Sequence, residues 1–230
     1  MDIFTQGDIY GLIGVYGYVI FVILFARIMH DYVKNSRKIV HILTGGIVFF
    51  WWLFDTDWVM AGLAAFPFIP ILLFTSPASP IKGLRESSVG DITSRGHPYG
   101  LVMYAISWTI IAYFLFNDLF AASIAIASMS FGDGMGDLIG RKFGKLEYVP
   151  HRTVEGSIAV FAATTISIII IGWFYFDMIG YTGGTIPEMM PLFAVGIGGF
   201  VTCLEAITPG KIDNLVIPLV VAGFLHTLGV

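Results

Sequence analysis

Acidic and basic side chains are concentrated in one stretch of the chain, FGDGMGDLIGRKFGKLEYVPHRTVEGS, which begins at Phe131. Two carboxylates, Asp133 and Asp137, lie at the end of an apolar segment, and four cations follow them: Arg141, Lys142, Lys145 and Arg152. A carboxylate inside a bilayer costs about 2.5–3.5 kcal/mol even on insertion scales, so acids in such segments are usually functional. Carboxylates that hold Mg²⁺ beside cations and glycines would suit a polyphosphate, as phosphoryl transfer requires.

Spacing on a helix favours two stripes in this stretch. Asp133, Asp137 and Arg141 are four residues apart and share one face, so that Asp137 can reach Arg141. A second stripe consists of Gly132, Gly136, Gly140 and Gly144. Glycine costs about 1 kcal/mol relative to alanine inside a helix, so this spacing indicates a close approach by another helix or by a ligand. The structural alternative is helix packing together with an Asp137–Arg141 ion pair.

The segment RTVEGS at 152–157 is typical of a helix start. Either Thr153 or Ser157 can cap the helix, and Glu155 would lie in the first turn, where a negative charge suits the helix dipole. In the functional alternative, Arg152 and the first backbone N–H groups hold phosphate. Glu155 would then orient Arg152 or a water bound to the metal.

Two further polar clusters are predicted at the same membrane face. Arg37 and His41 share a helix side at the start of an apolar segment, next to Lys38, and the alternative for these cations is anchoring at the membrane interface. Glu205 and Asp213 flank a Pro-Gly turn, which predicts that they come together as metal or hydroxyl partners. Asp213 could equally be a helix N-terminal charge. His151 and the other remaining histidines show no ligand spacing, which predicts loop or interface positions.

Composition places these clusters in an integral membrane protein. Hydrophobic residues make up 57% of the 230 residues and charged residues 12%, about half the usual share for soluble domains. A membrane span needs roughly 20 apolar residues. The sequence predicts an all-α, polytopic helix bundle with about eight spans, near residues 9–29, 39–54, 57–75, 99–117, 119–139, 157–177, 190–207 and 212–229.

The basic residues predict the orientation of this bundle. All twelve Lys and Arg fall in alternate connections between the spans: Arg27, Lys34, Arg37, Lys38, Lys82, Arg85, Arg95, Arg141, Lys142, Lys145, Arg152 and Lys211. The opposite side carries only acids: Asp2, Asp8, Asp55, Asp57, Asp118, Asp177 and Glu188. The positive-inside rule then places both termini on the non-cytoplasmic side and the clusters at the cytoplasmic face. We expect a single domain over 1–230, with cytoplasmic loops at 76–98 and 140–156 and no nucleic-acid partner.

Four motifs together resemble the CTP-dependent lipid alcohol kinases, the family of dolichol kinase, phytol kinase and the yeast-type diacylglycerol kinase. The motifs are RKIVH at 37–41, GDGMGDLIGRKFGK at 132–145, RTVEGS at 152–157, and Glu205 followed by DNLVIP at 213–218. The resemblance implies CTP as phosphate donor, a divalent metal such as Mg²⁺, and a lipid alcohol from the bilayer as acceptor. An isoprenoid alcohol of the dolichol, polyprenol, phytol or geranylgeraniol type is expected.

The resemblance and the spacing together assign roles to residues. The predicted catalytic residues are Asp133, Asp213 and Arg152. The predicted metal ligands are Asp133, Asp137, Glu205 and Asp213. The predicted nucleotide-binding residues are Arg37, Lys38, His41, Gly140, Arg141, Gly144, Lys145, Arg152, Thr153, Glu155, Gly156, Ser157 and Asn214. The family usually has alanine in place of Asp137, which favours Asp133 as the main carboxylate, and it often has lysine in place of Arg152.

Two other functions share parts of this pattern. CTP-dependent cytidylyltransferases of the CDP-lipid synthase type carry similar Gly-Arg-x-Phe-Gly-Lys and Thr-x-Glu-Gly segments, but ITPGKIDNLVIP stands where they have a Pro-Gly-His-Gly-Gly signature. An ion-coupled transporter would use Asp133 and Asp137 as a cation site. The expected location is the plasma membrane in a prokaryote or the endoplasmic reticulum in a eukaryote.

Overall fold

A computed structural model describes residues 3–29, 36–87, 90, 99–183 and 189–230, without the side chains of 36 and 37. Four residues used in the charge argument, Asp2, Lys34, Arg95 and Glu188, lie outside this part, as do His30 and His97. Residues 88–98 of the predicted 76–98 loop, apart from Gly90, lie outside it too. The chain divides into two compact units, Met1–Phe116 and Asn117–Val230.

The first unit is helical throughout the described residues. Its helices are α1 (Gln6–Met29), α2 (Ser36–Thr44), which continues as a 3₁₀ helix (Gly45–Leu53), α3 (Asp57–Val59), a π-helical segment (Met60–Ala65), α4 (Phe68–Thr75), α5 (Lys82–Arg85) and α6 (Gly100–Phe114). The short α5 lies inside the predicted 76–98 loop.

Asp8 connects the start of α1 to the turn before α3 through hydrogen bonds. Its side chain is fully buried and accepts hydrogen bonds from the backbone N–H groups of Asp55 and Thr56, both at 3.1 Å, and from the Thr56 hydroxyl at 2.7 Å. The sequence placed Asp8 only among the acids of the non-cytoplasmic side. A buried carboxylate is tolerated because these donors replace water.

The second unit is built around one buried helix. It contains α7 (Leu119–Ala127), a π-helical turn (Ser128–Asp133), α8 (Gly134–Phe143), strands β1 (Glu147–Val149) and β2 (Arg152–Thr153), α9 (Val154–Gly172) with a π-helical end (Trp173–Met178), α10 (Met190–Ile207) and α11 (Asp213–Leu228). The continuous helix Leu119–Phe143 has 89% of its apolar window buried, against 22–33% for the other long apolar helices. It is therefore a core helix, and the others expose apolar side chains.

The structure confirms an all-helical membrane architecture, apart from one hairpin. Within the described ranges, five helices are long and apolar enough to cross a membrane: Gln6–Met29, Asp57–Thr75, Leu119–Phe143, Val154–Met178 and Met190–Ile207. The other three predicted spans correspond to shorter apolar helices, Lys38–Leu53, Gly100–Phe114 and Asp213–Leu228. A count of eight spans and the side of the termini stay predictions. The predicted 140–156 loop is instead the end of α8 followed by the antiparallel β1–β2 hairpin.

The glycine stripe lies against α9, as the spacing predicted. A Cβ on Gly136 would collide with Val160 Cγ2, and a Cβ on Gly140 would lie 3.5 Å from Gly156 Cα. A Cβ on Gly156 would in turn lie 3.1 Å from the Gly136 carbonyl oxygen. The two backbones approach this closely only because three glycines meet at the crossing. The glycines therefore serve a helix contact.

We expect Gly136→Ala to lower the free energy of unfolding by about 1–3 kcal/mol, the usual cost of overpacking. Val160 cannot easily move, because it is fully buried and branched at Cβ. Thermal unfolding of the purified chain measures the effect. Gly196→Ala in α10 is the control, because a Cβ there meets no described atom within 4 Å. Val160→Ala should relieve the Gly136→Ala defect, and an undiminished defect would contradict the proposed collision.

Candidate functional site

A polar cavity of about 420 Å³ lies where α8, the hairpin, the start of α9 and the end of α10 meet. Its size falls in the range of small-molecule sites. The described residues that line it are Gly136, Asp137, Gly140, Arg141, Glu147, His151, Arg152, Thr153, Gly156, Ser157 and Glu205. Most of them belong to the predicted site. The cavity combines three carboxylates, two guanidinium groups and a histidine, which suits a highly charged ligand.

Arg152 is fixed in the cavity by the end of α10. Its Nη1 atom forms an ion pair with Glu205 Oε1, and its Nη2 atom donates to the Thr208 carbonyl oxygen at 3.2 Å. The Arg152 side chain is 17% exposed and that of Glu205 3% exposed. In the functional alternative drawn from the sequence, Glu155 orients either Arg152 or a water bound to the metal. In the structure the carboxylate paired with Arg152 is that of Glu205. One oxygen of Glu205, a predicted metal ligand, is thus already engaged.

Asp137 and Arg141 form the predicted i,i+4 ion pair. Arg141 Nε donates to Asp137 Oδ1 at 2.7 Å, and the Arg141 side chain remains 71% exposed. Surface pairs of this kind contribute about 0–1 kcal/mol, so Arg141 can be drawn to a ligand at little cost. Arg152 is held in place, whereas Arg141 is adaptable.

Glu155 organises the backbone that follows α8. Its Oε2 atom accepts hydrogen bonds from the backbone N–H groups of Lys145 at 3.0 Å and Leu146 at 3.4 Å. Thr153 caps α9 as predicted, because its hydroxyl accepts from the Gly156 N–H at 3.1 Å. The Val154 N–H donates to the Leu146 carbonyl oxygen at 2.9 Å.

These hydrogen bonds change the predicted phosphate cradle. The N–H groups of Lys145, Leu146, Val154 and Gly156 all have protein partners. They are therefore not open to a phosphate in this arrangement. The two guanidinium groups in the lining, of Arg141 and Arg152, are then the main candidates for phosphate contacts.

The hairpin contributes two lining residues that sequence reasoning missed, Glu147 and His151. His151 occupies the turn with a φ of 67°, and its N–H donates to Glu147 Oε1 at 2.7 Å. Histidine is one of the few non-glycine residues enriched in this left-handed conformation. The sequence could have indicated His151 because it directly precedes Arg152. The spacing of the histidines alone predicted only a loop or interface position.

Several predicted site residues lie elsewhere. Asp133 is 1% exposed, in the π-helical turn before α8, and is not among the described lining residues. Gly144 and Lys145 follow α8, and Asp213 and Asn214 begin α11, where Asp213 Oδ1 accepts from the Asn214 N–H at 2.7 Å. None of these four lines the described cavity. Arg37, Lys38 and His41 belong to α2 in the first unit.

The carboxylates of the site fit a metal that is coordinated partly by the protein and partly by water and substrate. Among the described residues, no three His, Cys, Asp or Glu side chains form a metal-binding group. Mg²⁺ in phosphoryl-transfer sites usually takes one or two carboxylates and fills its shell with water and phosphate. Asp137 in the cavity wall could supply such a carboxylate. The metal-ligand assignments of Asp133, Asp137, Glu205 and Asp213 stay predictions.

Curated relatives cover most of this chain. It is 30% identical over 205 residues to a phytol kinase of Synechocystis sp., an alignment that covers 85% of this chain and 80% of the relative. It is 30% identical to phytol kinase 1, chloroplastic, of Arabidopsis thaliana, over 80% of this chain and 63% of the relative. The farnesol kinase, chloroplastic, of the same plant is 26% identical over 84% of this chain and 65% of its own length. The chain thus spans less than two thirds of these plant relatives. No protein-family profile and no solved structure matches it.

The buried Arg152–Glu205 pair should be strongly coupled. Removing one partner of a buried ion pair typically costs about 3–5 kcal/mol, because the other charge is left unpaired. We expect Arg152→Ala and Glu205→Ala each to lower the free energy of unfolding. The double variant should lower it by less than the sum of the two single variants. A double-mutant cycle on the free energy of unfolding measures this coupling.

The Arg141–Asp137 pair, whose side chains are 71% and 17% exposed, provides a control for that cycle. Its coupling energy should stay below about 1 kcal/mol, as for other surface pairs. Equal coupling in the two pairs would show that Arg152 is not anchored by Glu205.

Proposed function

Because this chain belongs to the family of lipid alcohol kinases that includes the phytol kinases, we propose that it transfers the terminal phosphate of a nucleoside triphosphate to an isoprenoid alcohol. The observation that carries the proposal is the polar cavity with Arg141 and Arg152, built at the end of a buried apolar helix. The phosphate donor is charged and the acceptor is dissolved in the membrane. A protein that binds both therefore needs a polar cavity next to apolar helices.

The two arginines suit the phosphates of the donor. A guanidinium group presents a planar set of N–H donors that matches phosphate oxygens and never loses its charge. Arg152 is held by Glu205 and Thr208 before any ligand arrives. Positive charge held where negative charge develops is the main source of rate acceleration in phosphoryl transfer. Arg141 would turn from Asp137 to the phosphates when the donor binds.

Asp137 is the carboxylate best placed to act on the acceptor. It lines the cavity, whereas Asp133, the stronger candidate on sequence, does not. In the proposal Asp137 orients the acceptor hydroxyl and takes its proton as the oxygen attacks the terminal phosphorus, while the bond from that phosphorus to the bridging oxygen breaks and the nucleoside diphosphate leaves. Mg²⁺ would neutralise charge on the phosphates, and a carboxylate of this wall fits its preference for oxygen ligands.

The proposal also names the nucleotide that donates the phosphate and the side of the membrane on which the cavity lies. CTP is the proposed donor because the four sequence motifs resemble those of CTP-dependent kinases. The segregation of all basic residues to alternate connections supports a cytoplasmic site. The plant relatives are named as chloroplastic, a compartment that the sequence-based expectation did not include. In a chloroplast, the proposed site would lie on the membrane face that carries the basic connections.

Labelled nucleotide distinguishes the kinase from a cytidylyltransferase. With CTP labelled in the γ-phosphate, the purified chain should place label on phytol or farnesol in the presence of Mg²⁺. With CTP labelled in the α-phosphate, the lipid should stay unlabelled. Label from the α-phosphate in the lipid would show nucleotide transfer and would overturn the proposal.

Loss of Arg141 should weaken the reaction selectively. We expect Arg141→Gln to reduce kcat/KM for the nucleotide by about 10–100-fold, because one charge-assisted contact to phosphate is lost. Steady-state kinetics at saturating lipid measures this. Lys142→Gln is the control, since Lys142 lies on the same helix but its ammonium group lies over the Phe143 ring, 5.1 Å from the centroid. Equal losses of kcat/KM in both variants would indicate a general effect of positive charge rather than a contact between Arg141 and phosphate.

A further inference from the structure

The turn of the β1–β2 hairpin consists of two residues, Pro150 and His151, because Val149 pairs with Arg152 across the hairpin. Among the described residues, His151 is the one non-glycine residue with a positive φ, 67°. When proline comes first in such a turn, glycine or asparagine is the usual second residue, because a positive φ disfavours most side chains. The backbone of the turn therefore does not explain why a histidine stands there. Residues kept in sparsely populated conformations are often kept for what the side chain does.

Polar contacts hold this turn against the rest of the second unit. Glu147 Oε1 accepts a hydrogen bond from the His151 N–H at 2.7 Å. The Tyr148 and Ser157 hydroxyl groups are hydrogen-bonded at 2.6 Å, which joins the hairpin to α9. Arg152, the next residue after the turn, is anchored to the end of α10. His151 is thus part of the cavity lining, on a backbone that is held on both sides.

The cavity wall carries little positive charge for a polyphosphate. Its charged residues in the described lining are Asp137 and Arg141 on α8, Glu147 and Arg152 on the hairpin, and Glu205 on α10. The residues of α9 in that lining, Gly156 and Ser157, are uncharged. Three carboxylates thus face two guanidinium groups, and each guanidinium group is already paired with a carboxylate. An imidazole always has at least one N–H donor and can also carry a positive charge near neutral pH. His151 is the lining residue that can supply a further donor to phosphate.

We infer that the His151 imidazole donates a hydrogen bond to the polyphosphate of the bound nucleotide, and that Glu147 positions His151 for this contact. The inference rests on the proposed function for the class of ligand, a nucleoside triphosphate. Phosphate rather than the base is the partner, because His151 directly precedes Arg152 and both residues line the same wall. The hairpin then serves as a phosphate clamp, with a fixed guanidinium group and an imidazole side by side.

His151→Asn tests the contact while keeping the turn. Asparagine tolerates a positive φ, so the midpoint of thermal unfolding without ligand should equal or exceed that of the wild type. The full chain, purified in lipid nanodiscs, is titrated with CTP and with inorganic triphosphate, each with Mg²⁺, by isothermal titration calorimetry. His151→Asn should weaken the binding of both ligands by about three- to tenfold, the usual worth of one hydrogen bond.

His226→Asn is the matched control. His226 is an exposed histidine in the last turn of α11 and is not in the described cavity lining. His226→Asn should leave the binding of both ligands unchanged.

Two uncharged variants test the role of Glu147. Glu147→Gln keeps an oxygen that can accept from the His151 N–H, whereas Glu147→Ala does not. Both variants remove the same negative charge from the wall. Glu147→Ala should therefore bind inorganic triphosphate more weakly than Glu147→Gln. Equal binding by the two variants would show that Glu147 does not position His151.

The outcomes separate this inference from the proposed kinase function. If His151→Asn binds inorganic triphosphate as tightly as the wild type, or weakens the binding of CTP alone, His151 does not contact the polyphosphate. An equal loss in His226→Asn, or a wild type that binds neither ligand, overturns the inference as well. If the wild type binds both ligands with the expected variant pattern but transfers no phosphate to an isoprenoid alcohol, the kinase function fails while the phosphate contact stands.

Discussion

The close crossing of α8 and α9 is the contact on which the candidate active site depends. Gly136 and Gly140 on one helix meet Gly156 on the other, so that backbone lies against backbone. Asp137 and Arg141 follow Gly136 and Gly140 directly on α8, and Arg152 and Thr153 precede Gly156. Bringing the glycines together therefore brings the charged residues together at one end of the crossing. A side chain in place of Gly136 would separate both groups.

Burial then divides the charged residues into fixed and adaptable ones. Arg152 and Glu205 are removed from most solvent and hold each other, with the Thr208 carbonyl as a second acceptor. Arg141 is exposed and, among the described residues, is paired with Asp137 on the same helix. A site for phosphoryl transfer benefits from both kinds, because a fixed cation stabilises developing charge and an adaptable one follows the ligand.

The membrane sets the remaining constraint. Backbone and side-chain polar groups in apolar surroundings need partners within the protein. Asp8 meets this requirement with the N–H groups at the turn before α3, and Thr44 does so with a carbonyl of its own helix. Among the described residues, three buried polar atoms have no hydrogen-bond partner: the indole nitrogens of Trp51 and Trp108 and the Thr164 hydroxyl oxygen.

The sequence alone determined the apolar helices and the i,i+4 pair of Asp137 and Arg141. It limited the cap of α9 to Thr153 or Ser157 and the glycine stripe to contact with a helix or a ligand. Each of these depends on residues close in the chain or on a simple period. Only the tertiary structure decided that Glu205 rather than Glu155 holds Arg152, that Glu155 serves the backbone after α8, and that Asp137 rather than Asp133 faces the cavity. These outcomes depend on which helix ends meet and on the rotation of each helix. Neither is encoded in local spacing, because such contacts join residues that are far apart in the chain.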